Sequence, residues 1–211
     1  MHTLTRSTAN PILLPNGSND WEKKAAFNGS VVKQNGQFHM VYRALSNPTY
    51  YQGHNLELST VGYAVSSDGI HFADHRQLIK PEYLWELYGC EDPRITYLNG
   101  MYYIFYTALS NYPFNADGIK VGLATSSDLK TIEEKHLITP FNAKAMALFP
   151  EKIDGKIAVI LAANTDRPPS KIAIAMLDRE EELWNENFWH NWYAYVDDHT
   201  VPLLRTPSDQ V

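Results

Sequence analysis

Two carboxylates and an arginine stand close together in the segment Cys90–Thr96, which reads Cys-Glu-Asp-Pro-Arg-Ile-Thr. An Asn99-Gly100 turn and the aromatic, β-branched run Met101–Ala108 follow it, and this pattern predicts an antiparallel hairpin. Because alternate side chains of a strand share a face, Asp92 and Arg94 are expected on one face. One face of the strand would then carry an acid and a guanidinium two residues apart, although the same residues could be a surface ion pair, which would contribute little.

Composition limits the classes of protein that the chain can represent. It has 211 residues, 44 % of them hydrophobic, which is enough for one or two domains with a core. A net charge of −6 argues against nucleic-acid or anionic-membrane partners. A single cysteine, Cys90, excludes an intrachain disulfide framework. The first ten residues hold no hydrophobic signal segment, so a cytoplasmic location is expected, and assembly into a homo-oligomer is left open.

Internal repeats indicate the architecture. Val61–Asp68 recurs as Val121–Asp128 with six of eight residues identical, and Tyr42–Ser46 recurs as Tyr106–Ser110 with four of five identical. A shorter apolar signal that ends in proline occurs four times, at Pro15, Pro81, Pro140 and Pro207. A repeat of about 60 residues decides the fold before individual strands do.

Each repeat holds about four strand-like segments. In the first two repeats these are residues 29–32, 37–43, 58–65, 71–79, 93–97, 101–106, 119–126 and 131–138. In a more divergent third repeat they are residues 149–153, 156–162, 171–177 and 193–203. This spacing predicts an all-β fold of β-propeller blades, approximately 16–81, 82–140 and 141–207, in one partial propeller domain, 1–211. A ring of four to eight blades cannot close with three, so further blades are expected beyond Val211.

Superposing the repeats brings polar side chains together. If Val31, Ile95 and Ile153 are equivalent, then Asn28, Asp92 and Pro150 share one position of the innermost strands. The next position on the same face is then occupied by Ser30, Arg94 and Lys152. Since innermost strands line the channel of a propeller, an amide, a carboxylate and two cations would converge there, as a site for a polar substrate requires.

Six motifs carry a specific resemblance. They are Asn10-Pro11-Ile12-Leu13, Phe27-Asn28-Gly29-Ser30, Tyr42-Arg43-Ala44, Gly62-Tyr63-Ala64 with Ser67-Asp68-Gly69, Glu91-Asp92-Pro93-Arg94-Ile95-Thr96 and Phe149–Lys156. In this order they resemble the motifs of glycoside hydrolase family 130, which contains β-mannoside phosphorylases and β-mannosidases. The resemblance implies a five-bladed propeller.

The resemblance also implies roles for residues. Asp92 would be the general acid of an inverting reaction, acting on the glycosidic oxygen by relay through a mannose hydroxyl. Glu91 would orient a loop or an arginine. The substrate-binding residues implied by the motifs and the superposition are Asn28, Ser30, Arg43, Glu91, Arg94 and Lys152. No metal or cofactor is expected, and phosphate would be the co-substrate of a phosphorylase.

One departure from the family pattern bears on the reaction. Family phosphorylases carry a His-Arg pair that contacts phosphate, where this chain has Ile160–Asn164 with two alanines. Arg167 follows a few residues later without an established register. We therefore predict inverting hydrolysis of β-mannosides, with a glutamate base beyond Val211. The alternatives are a β-mannoside phosphorylase that releases mannose 1-phosphate, and a non-catalytic carbohydrate-binding propeller.

Two other clusters have competing interpretations. His71 and His75 have a spacing that binds zinc on a helix, but they follow a Ser-Asp-Gly turn and enter a strand, which disfavours a metal site. Trp184, Trp189 and Trp192 could form a sugar-stacking platform or pack between blades.

Overall fold

The first sheet is built from the first repeat. The computed structural model describes residues 7–200. In it, β1 (Ala25–Gln34), β2 (Gln37–Leu45), β5 (Ser59–Ser66) and β6 (Ala73–Ile79) form an antiparallel sheet in the order β1-β2-β5-β6. All four predicted strands are confirmed. The connection from β2 to β5 contains a short hairpin, β3 (Thr49–Tyr51) and β4 (His54–Leu56).

The second sheet repeats this arrangement. Its strands are β7 (Gly89–Leu98), β8 (Met101–Leu109), β9 (Ile119–Ser126) and β10 (Glu134–Leu137), in the order β10-β9-β8-β7. Asn99 and Gly100 have φ values of 52° and 88°, as the tight turn between β7 and β8 requires. The predicted hairpin is confirmed.

The third sheet differs from the prediction. It has three strands among the described residues: β11 (Ala143–Leu148), β12 (Ile157–Ala163) and β13 (Lys171–Leu177). The second and third predicted strands are confirmed. The first lies at 143–148 and not at 149–153, so that prediction is wrong.

A helix occupies part of the predicted fourth strand. Helix α1 (Glu186–Ala194) begins after Asn185, whose side chain accepts a hydrogen bond from the backbone N–H of Phe188. Residues 195–199 continue in turns, and Thr200 forms an isolated antiparallel bridge with Ala173 of β13. Residues 201–203, like the Pro207 signal, lie outside the described residues. The strand predicted at 193–203 is therefore wrong over 193–199, because the capped aromatic segment folds as a helix and a turn.

The three sheets stack with their first strands side by side. The backbone N–H of Ile95 on β7 donates to Ser30 Oγ on β1 at 3.1 Å. Thr96 Oγ1 donates to the backbone oxygen of Leu148 on β11 at 2.8 Å. Adjacent antiparallel sheets arranged in this way form a β-propeller-like fold.

Hydrophobic side chains fill the spaces between the sheets. Between the first and second sheets they include Val41, Val61, Ile79, Ile95, Ile104 and Leu129. Between the second and third they include Tyr103, Phe105, Leu123, Met146, Leu161 and Trp189. Neighbouring sheets therefore share a core and support one another.

A buried tyrosine is repeated in the first two sheets. Tyr42 donates to Glu22 Oε2 at 2.8 Å, and its counterpart Tyr106 donates to Glu86 Oε2 at 2.5 Å. Burial, together with the hydrogen bond to Glu22, raises the pKa of Tyr42. The ring lies over Gly62 of β5, where a Cβ atom would be 2.4 Å from the ring. Glycine is therefore required at this position.

No helix in the part of the chain that the structure describes is long and apolar enough to cross a membrane.

Candidate active site

A β-bulge recurs at the same point of β1, β7 and β11. The pairing of each strand with its neighbour shifts by one residue there. The bulged residues, Asn28, Asp92 and Ala145, have positive φ values of 52°, 51° and 52°. Asparagine and aspartate tolerate this left-handed conformation better than most residues, which fits their use in the first two sheets. The equivalent of Asp92 in the third sheet is thus Ala145, and the expected Pro150 is wrong.

Asp92 lies between the first and second sheets with its carboxylate in contact with two donors. Asn28 Nδ2 donates to Asp92 Oδ1 at 2.7 Å, and Arg43 Nη1 lies 3.5 Å from the same oxygen. The Asp92 side chain is 32 % exposed, so a ligand can reach it from solvent. The structure brings together three of the expected residues at one carboxylate.

Arg43 is shared between two acids. Its Nη2 forms an ion pair with Glu91 Oε1, while its Nε donates to Ser59 Oγ at 3.1 Å. Ser59 Oγ in turn donates to Glu91 Oε1 at 2.9 Å. Burial raises the pKa of Glu91, although Arg43 and Ser59 oppose that shift. Glu91 thus contacts an arginine, one of its two expected roles, and holds it in place. Sequence reasoning missed Ser59, for which no motif gave a signal.

Arg94 and Ser30 lie near the site but make other contacts. Arg94 Nη1 donates to the backbone oxygen of Pro93 at 2.9 Å. Because the bulge inserts one residue between Glu91 and Arg94, the alternation of side chains is interrupted, and the expectation that Asp92 and Arg94 share a face fails. Ser30 Oγ accepts the inter-sheet bond from β7 described above.

Lys144, and not Lys152, lies on the inner strand of the third sheet. Lys152 is exposed in the connection between β11 and β12, so its predicted position on an innermost strand is wrong. Lys144 on β11 occupies the register position of Glu91 on β7. Its Nζ pairs with Asp166 Oδ1 at 2.9 Å, and its charge also acts to lower the pKa of Glu91. Lys144 was missed because the first strand of the third sheet was misplaced.

The place of the expected phosphate ligands is apolar. Ala162 on β12 pairs with Lys144 and occupies the position of Arg43 on β2. Ala163 beside it is fully buried. Arg167 forms an ion pair with Asp117 of the neighbouring loop, with both side chains largely exposed. Lys144 is therefore the described cation that the third sheet presents beside Glu91.

The remaining candidates have structural contacts. Trp189 is buried and its Nε1 donates to the backbone oxygen of Leu183 at 2.8 Å. Trp192 stacks on Phe141, with ring centroids 5.9 Å apart, so these tryptophans pack within the core. Among residues 7–200, no group of three or more histidine, cysteine or acidic side chains could hold a metal ion.

Adjacent antiparallel sheets, with a carboxylate and an amide on their inner strands and an arginine on the strand beside them, define a β-propeller-like protein with a polar pocket. A family described as beta-1,4-mannooligosaccharide phosphorylase, glycoside hydrolase family 130, matches residues 5–200. The chain belongs to this family.

Curated relatives refine the comparison. A 1,2-beta-oligomannan phosphorylase of Thermoanaerobacter sp. (strain X514) is 37 % identical over 161 residues, which cover 76 % of this chain and 53 % of the relative. A beta-1,2-mannobiose phosphorylase of the same strain is 35 % identical over 162 residues, covering 74 % of this chain and 53 % of the relative. The chain thus spans about half the length of these relatives.

Solved structures share the fold. The beta-1,2-mannobiose phosphorylase from Listeria innocua, in complex with beta-1,2-mannobiose, superposes with a TM-score of 0.68 at 21 % identity. That match covers 82 % of this chain and 62 % of the other. A further neighbour, with a TM-score of 0.61 at 23 % identity, covers 86 % of this chain and 59 % of the other. It is described in a study of family 130 glycoside hydrolases that target beta-1,2 mannosidic linkages in Candida mannan.

Proposed function

We propose that the protein cleaves β-1,2-linked mannosides by phosphorolysis, with Asp92 as the general acid. The observation that carries the proposal is the position of Asp92 on an inner-strand bulge, bonded to Asn28 and next to Arg43. Two relatives with 35–37 % identity are named as phosphorylases of β-1,2-mannosides. They favour phosphorolysis over the hydrolysis that we predicted from the sequence.

The proposed reaction needs one acid and an external nucleophile. A phosphate oxygen forms a bond to the anomeric carbon as the bond to the glycosidic oxygen breaks, and that oxygen receives a proton that originates on Asp92. The products are mannose 1-phosphate and the shortened mannoside. Phosphate arrives already ionised, so the reaction requires cationic ligands in place of a catalytic base.

The sharing of Arg43 suits an acid at Asp92. A guanidinium paired with Asp92 alone would favour the ionised carboxylate and weaken it as a proton donor. In this site Arg43 also compensates the buried Glu91, so its charge is divided between two carboxylates. Asp92 is therefore oriented by Asn28 and Arg43, but it shares the charge of Arg43 with Glu91.

Lys144 is the cation that we assign to phosphate. It lies on the inner strand of the third sheet and already pairs with a carboxylate oxygen of Asp166 at 2.9 Å. An incoming phosphate oxygen would take that place on the ammonium group. Burial opposes ionisation of Asp166, but hydrogen bonds from Asn142, Lys144 and Thr165 lower its pKa. The bonds from Asn142 and Thr165 do not involve Lys144 and would remain after phosphate binds.

Hydrolysis is the second candidate, and one observation favours it. Ala162 and Ala163 have no donors where family phosphorylases carry a phosphate-binding pair, and charge-assisted bonds to a dianion are costly to lose. Water would then need a basic side chain to activate it.

In either reaction we take the three sheets as blades of one five-bladed catalytic domain, with the approximate boundaries 16–81, 82–140 and 141–207.

The reactions are separated by one assay. The protein is incubated with β-1,2-mannobiose in the presence and absence of millimolar phosphate, and the sugar products are identified by chromatography. Phosphate-dependent formation of mannose 1-phosphate is the expected result. Release of free mannose at the same rate without phosphate would overturn phosphorolysis in favour of hydrolysis. Binding of the disaccharide by calorimetry with no product under either condition would show the non-catalytic propeller.

A further inference from the structure

A buried serine hydroxyl lies beside the Arg43–Glu91 pair. Ser59 begins β5, the third strand in the order of the first sheet, and is only 2 % exposed. Its Oγ accepts a hydrogen bond from Arg43 Nε at 3.1 Å and donates one to Glu91 Oε1 at 2.9 Å. Burying a hydroxyl is unfavourable unless it is hydrogen-bonded, and both of these hydrogen bonds are made to residues of the candidate active site.

The serine hydroxyl fixes one edge of the Arg43 guanidinium. A guanidinium is planar and carries five N–H groups in a rigid fork, so contacts on different nitrogens define its orientation. In this site Nε is held by Ser59, Nη2 pairs with Glu91, and Nη1 lies 3.5 Å from Asp92 Oδ1. Ser59 is the uncharged partner of the three, so it orients the group without taking a share of its charge.

The internal repeat shows that the fold does not require this serine. By strand register, the second sheet has Thr107 where the first has Arg43, and Ile119 where the first has Ser59. Ile119 is 7 % exposed, so an apolar side chain can fill the core at this position. Of the first two sheets, the one that carries the arginine is therefore the one that carries the hydroxyl.

We propose that Ser59 is a positioning residue of the active site, which holds Arg43 where it contacts both Glu91 and Asp92. This inference rests on the proposed cleavage of β-mannosides, but not on whether phosphate or water is the nucleophile. Ser59 acts through Arg43 and not on the substrate, because its hydroxyl is buried and makes its hydrogen bonds within the protein. Its effect on the reaction therefore depends on the presence of the arginine.

A double-mutant cycle tests this dependence. Ser59→Ala removes the hydroxyl, and we expect it to lower kcat/KM on β-1,2-mannobiose about tenfold, as the loss of one hydrogen bond to a charged group predicts. Arg43→Lys removes the Nε–H group that Ser59 binds. In that background Ser59→Ala is expected to cost less than about twofold more, because the group that it positions is already gone. A tenfold further loss in both backgrounds would overturn the assignment, since Ser59 would then act independently of Arg43.

The Nε–H resonance of Arg43 reports the same contact without turnover. In isotope-labelled protein it is the arginine signal that Arg43→Lys removes. We expect its heteronuclear NOE to be that of an ordered group in the parent and to be clearly lower in Ser59→Ala. An unchanged NOE would overturn the assignment, whichever reaction the protein catalyses. If the parent cleaved no mannoside while Ser59→Ala still lowered the NOE, the proposed function would fail and the positioning of Arg43 by Ser59 would stand.

Ser66→Ala is the matched control. Ser66 is a buried serine at the other end of β5, and its Oγ bonds to Asp68 and to the backbone N–H of Gly69 in the adjoining turn. We expect this variant to lower the melting temperature, because the turn loses these hydrogen bonds, and to leave kcat/KM and the Arg43 signal at their parental values. A loss of kcat/KM equal to that of Ser59→Ala would overturn the assignment, because removal of any buried hydroxyl of the strand would then have the same effect.

Discussion

Asp92 combines an orienting hydrogen bond from Asn28 with access from solvent. Replacing it with asparagine keeps the size of the side chain and its contact with Asn28, but removes the proton. We expect Asp92→Asn to lower kcat on β-1,2-mannobiose by about 100-fold or more, the usual contribution of a positioned general acid, with an unchanged melting temperature.

The control for Asp92→Asn is Asp20→Asn, since the Asp20 side chain is almost fully exposed and pairs with Lys23 of its own turn. It should retain the parental rate. If Asp92→Asn kept half of the parental kcat, another group would have to be the acid.

Glu91 should make stability depend on pH with a definite sign. Burial raises the pKa of Glu91 in the folded protein above its ordinary value of 4.5. Between these two values the folded state binds more protons than the unfolded state, so the contribution of Glu91 to the free energy of unfolding falls as pH rises. We expect the free energy of unfolding of the parent, minus that of Glu91→Gln, to fall as the pH rises from 4. It should stop falling above the raised pKa of Glu91.

Urea unfolding of both proteins across pH 4 to 8 measures this difference. A difference that grew with pH over the same interval would show that Arg43 stabilises the carboxylate more than burial penalises it.

At the scale of the element, each of the first two sheets contains a tyrosine ring packed against a glycine: Tyr42 on Gly62 and Tyr106 on Gly122. Adding a methyl group at Gly62 or Gly122 places it 2.4 or 2.7 Å from the tyrosine ring, with β-sheet backbone on both sides. We expect Gly62→Ala and Gly122→Ala each to lower the free energy of unfolding by about 1–3 kcal/mol, the usual range for overpacking. Chemical denaturation measures the effect.

Gly17→Ala is the comparison for these variants, since nothing lies within 4 Å of its added Cβ. It should change stability by less than about 0.5 kcal/mol. Destabilisation by Gly17→Ala equal to that of Gly62→Ala would mean that the close approach to the ring is not the cause.

The elements that the sequence predicts well are those with strong turn signals. Asn35-Gly36 and Asn99-Gly100 mark hairpins, and the alternating runs beside them became β1, β2, β7 and β8. The third sheet lacks these advantages, because Ala143–Leu148 is rich in alanine, which has low strand propensity. The sequence therefore predicts the first strand at 149–153, within a motif that in the structure connects β11 to β12.

Two features of the site could not be predicted from periodicity. A β-bulge shifts the register by one residue, so alternation places Arg94 on the wrong face after Asp92. Ser59 depends on a contact between β5 and β7, which are distant in sequence and joined only by the stacking of the sheets. Motif resemblance located Asn28, Arg43 and Asp92, because it does not depend on register.

At the scale of the whole molecule, side-chain hydrogen bonds join neighbouring sheets, and the contribution of one of them can be measured. Thr96 Oγ1 joins the second sheet to the third through Leu148. We expect Thr96→Val, which keeps the shape, to reduce the free energy of unfolding by about 1 kcal/mol, because the Leu148 carbonyl loses its donor. The denaturant m-value should not change if the three sheets unfold as one cooperative unit.

Thr49→Val, at an exposed position of the short β3 strand, is the control and should have little effect. A smaller m-value for Thr96→Val, with two separate transitions, would show instead that the third sheet unfolds independently of the other two.

The three bulges have the same backbone conformation but carry different side chains. Asn28, Asp92 and Ala145 share one left-handed conformation, and the chain keeps it even where the side chain is only a methyl group. New functional groups can therefore be introduced at position 145 by changing a single codon, without remodelling the scaffold, and asparagine or aspartate there would also relieve a conformation that alanine adopts reluctantly. Position 145 on the first strand of the third sheet can therefore change its side-chain chemistry during evolution while the fold stays constant.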